Sequence, residues 1–315
     1  LVIMLGASGG GWLPMMTVLN NWFDKRRTMA MGLGGLGFSM GSFLLVPLLA
    51  WLVRPQNVGW QTTSLVLGIT FIIVAYPISR FIRNNPEEYG EIPDGKNSQF
   101  NDGDASLLVT TVSEIGYSIQ KILVMPVFWL ISICHGLSTM LIGTMMVHFV
   151  LALKDQGMSV QTGAWVWGTT LGVSGIAQIL GGYLGDKVPK NIALCVFGCL
   201  QSLGVILVPF IDTLYLAPLF VLVYGLGFGA RIPLGTAIRG EYFGRKSFGK
   251  VLGLSMAPMM LLMMAGPLFA GWMHDRNGNY DAAFWILAII AIIGSLGFLF
   301  ARKPDLITEH VEVNK

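Results

Sequence analysis

Apolar positions run in long blocks along this chain, and short polar clusters separate them. Nine blocks, near residues 1–23, 29–53, 62–79, 127–151, 161–184, 192–211, 214–238, 251–273 and 282–301, are long enough to cross a hydrocarbon core of about 30 Å as helices. The stretch 224–253 shows the rhythm best. An apolar segment carrying Gly225, Gly227, Gly229, Arg231 and Pro233 stops at a compact basic turn (Arg239, Arg245, Lys246), and after Lys250 a second apolar segment starts. Near the other end, Trp22-Phe23-Asp24-Lys25-Arg26-Arg27 interrupts two apolar blocks in the same way. Two copies of one hairpin point to a duplicated membrane protein.

Composition agrees. Of 315 residues 54% are hydrophobic and 12% charged, with mean hydropathy +0.66; a soluble domain is about a quarter charged. The placement of charge matters more than its net value of +3. Sixteen of the twenty Lys and Arg residues fall between blocks on one side, Arg54, Lys154 and Arg276 fall on the other, and Arg231 lies within a block. The positive-inside rule then places residue 1 outside and the C-terminus in the cytoplasm. The chain opens at Leu1, inside an apolar block and without a start Met, which reads as truncation. Cys134, Cys195 and Cys199 sit in apolar runs, and two thiols on one helix face without a His make no metal site.

A polar, turn-rich break interrupts the series after Arg83. Beyond it Val112, Ile115, Ile119 and Ile122 recur at helical spacing opposite Ser113, Glu114 and Gln120, predicting an amphipathic helix at the membrane surface. The expected organisation is three spans in 1–83, a cytoplasmic linker with the amphipathic helix in 84–121, a six-helix bundle in 122–304 and a cytoplasmic tail in 305–315. Three spans would precede Leu1.

Gly182-Tyr183-Leu184-Gly185-Asp186-Lys187-Val188-Pro189-Lys190 resembles the signature loop of the major facilitator superfamily, departing from it at Pro189, where glycine is usual. Pro126-Val127-Phe128-Trp129 at a span entry and the two basic hairpins are similar to the oxalate–formate antiporter and monocarboxylate transporter branch. The resemblance covers every block in order, as the fourth to twelfth of twelve. It implies an all-α polytopic membrane protein with the major facilitator fold, two six-helix bundles with the first three helices missing. It further implies a central site reached by alternating access. Many relatives of that branch carry a substrate-binding arginine near Gln178, and this chain does not.

The same sequence carries patterns of other chemistries. Gly37-Phe38-Ser39-Met40-Gly41 and Gly6-Ala7-Ser8-Gly9 match serine-hydrolase patterns, but a nucleophile needs a base, here His135 or His148, within hydrogen-bond reach. Gly37/Gly41 and Gly225/Gly229 are equally Gly-xxx-Gly pairs for close helix packing. The turn 240–247 falls one residue short of a phosphate loop and has no preceding strand. The methionines from Met256 to Met264 read as gap filling.

What remains is polar chemistry inside spans. Arg231 lies about seven residues from the cytoplasmic end of its block, with Tyr224 on the same face. A buried cation costs at least ~2.5 kcal/mol on insertion scales, so it faces a cavity or partner, or snorkels to the headgroups. Trp167, Thr170, Ser174 and Gln178 share a face that suits a cavity wall or a hydrogen-bonded helix pair. By the pseudo-symmetry that the resemblance implies, the loop with Gly182, Asp186, Lys187 and Lys190 should lie against the helix start after Arg26 and Arg27. There the aspartate would meet unpaired N–H groups and both arginines and act as a latch. The reading is a secondary active transporter of a small organic solute, with organic anions or monocarboxylates as one candidate class and an ion as one candidate co-substrate. It is a monomer in the bilayer of a bacterial-type plasma (inner) membrane. It needs no cofactor, metal or nucleic acid, and it is not an enzyme. An intramembrane serine hydrolase and a non-transporting receptor on a transporter scaffold are the alternatives.

Overall fold

The computed structural model describes residues 11–53, 56–91, 93–94, 117–211 and 215–304. Its helices are α1 (Trp12–Trp22), α2 (Arg27–Leu52), α3 (Trp60–Phe81), a short α4 (Ile119–Val124), α5 (Pro126–Asp155), α6 (Val160–Gly185), α7 (Lys190–Leu207), α8 (Ala217–Phe243), α9 (Phe248–Asn277) and α10 (Asp281–Gly297). Short 3-10 turns follow α3 (Pro86–Tyr89), α7 (Val208–Phe210) and α10 (Phe298–Phe300). No strand occurs among the described residues.

Local signals set the ends. Pro126 occupies the first turn of α5, where its missing N–H is no loss. Ser159 caps α6 by accepting from the N–H of Thr162 at 3.0 Å. Gly278 closes α9 in the left-handed region, at φ 74°. At 30 residues, α5 and α9 each run about 45 Å, more than a bilayer core requires.

Among the described residues, six helical segments are long and apolar enough to cross a membrane: 60–81, 126–155, 190–210, 217–243, 248–277 and 281–300. α2 and α6 reach 26 residues each. Of the first expected span, only the part from residue 11 is described.

Helices α5 to α10 form one bundle in which α6–α8, α5–α9 and α7–α8 pack most intimately. Its core divides into one aromatic cluster around Phe149, Phe220, Tyr224 and Phe284 and another around Phe128, Phe243 and Phe298. α2 lies against α6 and α8, α1 sits on α2 and α9, and α3 buries only Thr63. Glycine makes the tight seams possible. A Cβ on Gly225 would lie 2.9 Å from Val173, and one on Gly229 would collide with the Ser174 backbone, so this pair packs as a Gly-xxx-Gly motif does. A Cβ at Gly37 or Gly41 meets nothing within 4 Å, so the second expected pair faces no described neighbour.

The amphipathic helix differs from expectation. Val112 and Ile115 lie outside the described residues, and the helix runs only from Ile119 to Val124. Ile122 is fully buried against the bundle while Ile119, on the same expected face, is half exposed. The segment is a joint into α5, anchored by the Tyr117 N–H, which donates to Ser247 Oγ at 2.6 Å.

Candidate functional site

The start of α2 is one of the places where α1–α3 meet the bundle. Its N-cap, Arg26, supplies no side-chain cap of its own. Asp186, at the end of α6, supplies one from a distance: its Oδ1 accepts from the Thr28 N–H at 2.9 Å and its Oδ2 from the Met29 N–H at 3.0 Å. A helix start offers unpaired N–H groups and a partial positive charge, and a carboxylate satisfies both. Gly182 and Gly185 permit the approach. A Cβ on Gly182 would stand 2.9 Å from the Met29 Cα, and one on Gly185 would stand 2.5 Å from Thr28.

The basic residues expected beside this aspartate are engaged elsewhere. The Arg27 guanidinium pairs with Asp24 at 2.8 Å and with the Phe23 carbonyl at 3.3 Å. Arg26 gives its backbone N–H to Asp94 at 3.0 Å and exposes its side chain. Lys190 pairs with Glu241 at 2.6 Å within its own bundle, and Lys187 reaches the Tyr183 hydroxyl. The expectation that both arginines attract Asp186 is therefore corrected: backbone N–H groups, not guanidinium groups, receive it.

The linker contributes what sequence reasoning missed. Asp94 also accepts from the N–H groups of Asp24 and Lys25. Trp22 Nε1 donates to the Arg83 carbonyl at 2.8 Å, and Asn21 donates to Asn84 and Asn85. Glu87 forms a two-pronged pair with Arg245 at 2.5 and 2.8 Å. The strap 83–94 thus ties the first basic turn to the second. The acidic residues were visible in the sequence, but nothing in their spacing named these partners.

Four cavity candidates lie along α6. Thr170 and Ser174 are buried and give their hydroxyl hydrogens to their own helix, at Val166 and Leu171, both at 2.8 Å. Gly225 and Gly229 close over them. In this conformation that part of the face is a helix–helix seam rather than a cavity wall. Gln178 turns the other way and donates to Ser39 Oγ on α2 at 2.8 Å. Trp167 packs against Phe149 and Tyr224 with ring centroids at 5.4 and 5.8 Å.

Arg231 is 1% exposed, which rules out snorkelling here. Its Nε donates to Gln201 Oε1 on α7 at 2.9 Å, while its buried Nη1 and the nearby Tyr224 hydroxyl find no partner. Eight residues on, Arg239 is equally buried. It donates to Ser255 at 3.0 Å, to the Gly235 carbonyl and to Met259 Sδ at 3.3 Å, and it meets His135 Nδ1 at 3.1 Å. No carboxylate pairs with either guanidinium among the described residues. The expectation that Arg239 belongs to the basic turn is corrected, since it lies inside α8 and is 1% exposed, while Gln201, a lone amide within an apolar block, gave no signal.

The Ser39 hydrolase pattern lacks its geometry. Ser39 is bonded to Gln178, His135 to Arg239, and His148 to Tyr280 and the Pro267 carbonyl. Ser8 lies outside the described residues.

Comparison with known proteins places these features in a family. Relatives include monocarboxylate transporter 11 of Mus musculus, 28% identical over 94% of this chain, and monocarboxylate transporter 13 of Rattus norvegicus, 26% identical over 91%. Monocarboxylate transporter 12-B of Danio rerio is 24% identical over 90%. The chain spans 65%, 64% and 63% of the length of these three. The family profile matches residues 1–230 and, overlapping, 128–312, and on that match the chain belongs to the Major Facilitator Superfamily.

Proposed function

We propose that this multi-pass membrane protein works as a secondary active transporter of a small organic solute by alternating access, with an organic anion as the substrate class. The observation that carries the reading is the Asp186 carboxylate on the Thr28 and Met29 N–H groups. It joins elements 158 residues apart through two charge-assisted hydrogen bonds that can break without disturbing either helix. Such a contact, about 1–2 kcal/mol, shifts a two-state population roughly five- to thirty-fold. Asp186 acts as a latch that holds the basic end closed and releases as it opens. That end faces the cytoplasm, by the bias of Lys and Arg, and the membrane is a plasma membrane.

Support for an anion comes from the buried charge. Arg231 and Arg239 meet only neutral acceptors, and Arg231 keeps one nitrogen free. A guanidinium in that state favours a carboxylate, which accepts two parallel bonds. The names of the relatives point to the same class.

The test is uptake by proteoliposomes holding the full-length protein, with and without an ion gradient, beside a serine-directed activity probe. The expected result is gradient-dependent accumulation of a labelled organic anion and no probe labelling. Arg231→Gln and Arg231→Lys should both lower uptake, the lysine because it offers no planar fork. Wild-type uptake in Arg231→Gln would remove the anion anchor, and probe labelling at Ser8 or Ser39 would turn the reading toward a hydrolase.

A further inference from the structure

At the end of the bundle that carries the basic turns, the start of α5 and the chain leaving α10 enclose an open groove of about 650 Å³. Its walls are Met125, Val127, Leu130 and Phe300, and its polar groups are the side chains of Arg302 and Lys303. The volume is that of a pocket for one small ligand. Both cations are exposed.

The groove opens on the outside of the bundle, not between the bundle and α1–α3. Of its lining, Phe300 is 75% exposed, and Val124, the residue before Met125, is 80% exposed. Trp129, next to Leu130 in sequence, is exposed, and its Nε1 donates to the Leu123 carbonyl at 2.8 Å. Indoles are enriched where hydrocarbon meets headgroups. The backbone just before the cations is anchored. The Ala301 carbonyl accepts from the Tyr242 hydroxyl at 2.9 Å and from Asn191 at 3.5 Å, so the chain turns out of the bundle one residue before Arg302.

We infer that this groove is a binding site for one anionic glycerophospholipid. An acyl chain lies on Met125, Val127, Leu130 and Phe300, and the phosphate lies between Arg302 and Lys303. A free solute would gain little from a wall of four apolar side chains open to the bilayer. A lipid satisfies the apolar wall and the two cations together. Each basic side chain near such a surface adds attraction for an anionic headgroup, and two within one apolar cleft select it over a zwitterionic one.

The test is native mass spectrometry of the full-length protein in detergent, offered phosphatidylglycerol or phosphatidylcholine with identical acyl chains. Wild type should retain one phosphatidylglycerol with about tenfold preference. Arg302→Gln with Lys303→Gln should bring retention down to the phosphatidylcholine level. Leu130→Trp, which fills the cleft, should lower retention of both lipids. Four outcomes would overturn the inference. In the first, the double variant keeps the preference. In the second, Lys25→Gln with Lys250→Gln, cations away from the groove, lowers it equally and marks a diffuse surface effect. In the third, glycerol phosphate at millimolar concentration displaces the lipid and marks a free-anion site. In the last, the lipid appears only after removal of residues 305–315, whose acidic side chains would then be the occupant.

Discussion

The two basic turns, one between α1 and α2 and the other between α8 and α9, start from similar residues but are held by different chemistry. In the first, the backbone N–H groups of Asp24, Lys25 and Arg26 go to Asp94, and those of Thr28 and Met29 go to Asp186. Two aspartates from distant parts of the chain serve one helix start. In the second, the turn closes locally: the Phe248 N–H reaches the Arg245 carbonyl at 3.3 Å and the Val251 N–H reaches the Ser247 carbonyl at 2.9 Å. Its distant contacts include the Arg245–Glu87 pair and the Tyr117 N–H on Ser247. The first turn depends on other elements for its backbone satisfaction, and the second does not. A structure that opens at this end would break the first and carry the second along with its own bundle.

Four substitutions separate these roles, taken from the largest expected effect to the smallest. Gly182→Leu places a side chain where the Met29 backbone stands, so it should separate α6 from α2 and cut turnover by more than tenfold. Thiol labelling of a cysteine introduced at Thr28 would report the separation, and unchanged labelling would mean the helices do not touch in the working protein. Asp186→Asn keeps the shape but removes the charge, at a cost of about 1–2 kcal/mol. It should insert normally, label faster at the basic end and turn over several-fold more slowly. Unchanged labelling and turnover together would show that Asp186 latches nothing.

Asp94→Ala uncaps three N–H groups at an exposed turn, where water takes over part of the loss. A destabilisation of about 1 kcal/mol is expected, read as faster proteolysis within residues 83–94. Glu87→Gln removes one exposed ion pair, and such pairs contribute about 0–1 kcal/mol. Turnover should stay within twofold of wild type. A larger fall would make the second turn as dependent on distant contacts as the first, and the contrast between them would collapse.

Much of this architecture could be read from the residues. Block length and charge placement are local properties of the chain, so the expected ends of α5, α7, α9 and α10 differ from the observed ends by a few residues. Gly225 and Gly229 were recognisable because a repeat of four on a helix puts both on one face. The polar side chains were harder, since spacing fixes a face and not what that face meets. Thr170, Ser174 and Gln178 share a helix, yet two are sealed under α8 and one reaches α2. Arg231 looked equally suited to headgroups and to a cavity until Gln201, on another helix, appeared beside its Nε.

By itself the sequence determined an all-α chain of long apolar helices and two related basic turns. Hydrophobic burial and charge placement act along the chain and leave their mark in its order. Only the tertiary structure decided which donors and acceptors met. The N–H groups at the start of α2 needed carboxylates, and any of several acidic residues had the right chemistry. Packing across Gly182 and Gly185 brought Asp186 within 3.0 Å, and the strap after α3 brought Asp94. Hydrogen bonds are short and directional, so their partners are set by the last few ångströms of packing, which no one-dimensional pattern records.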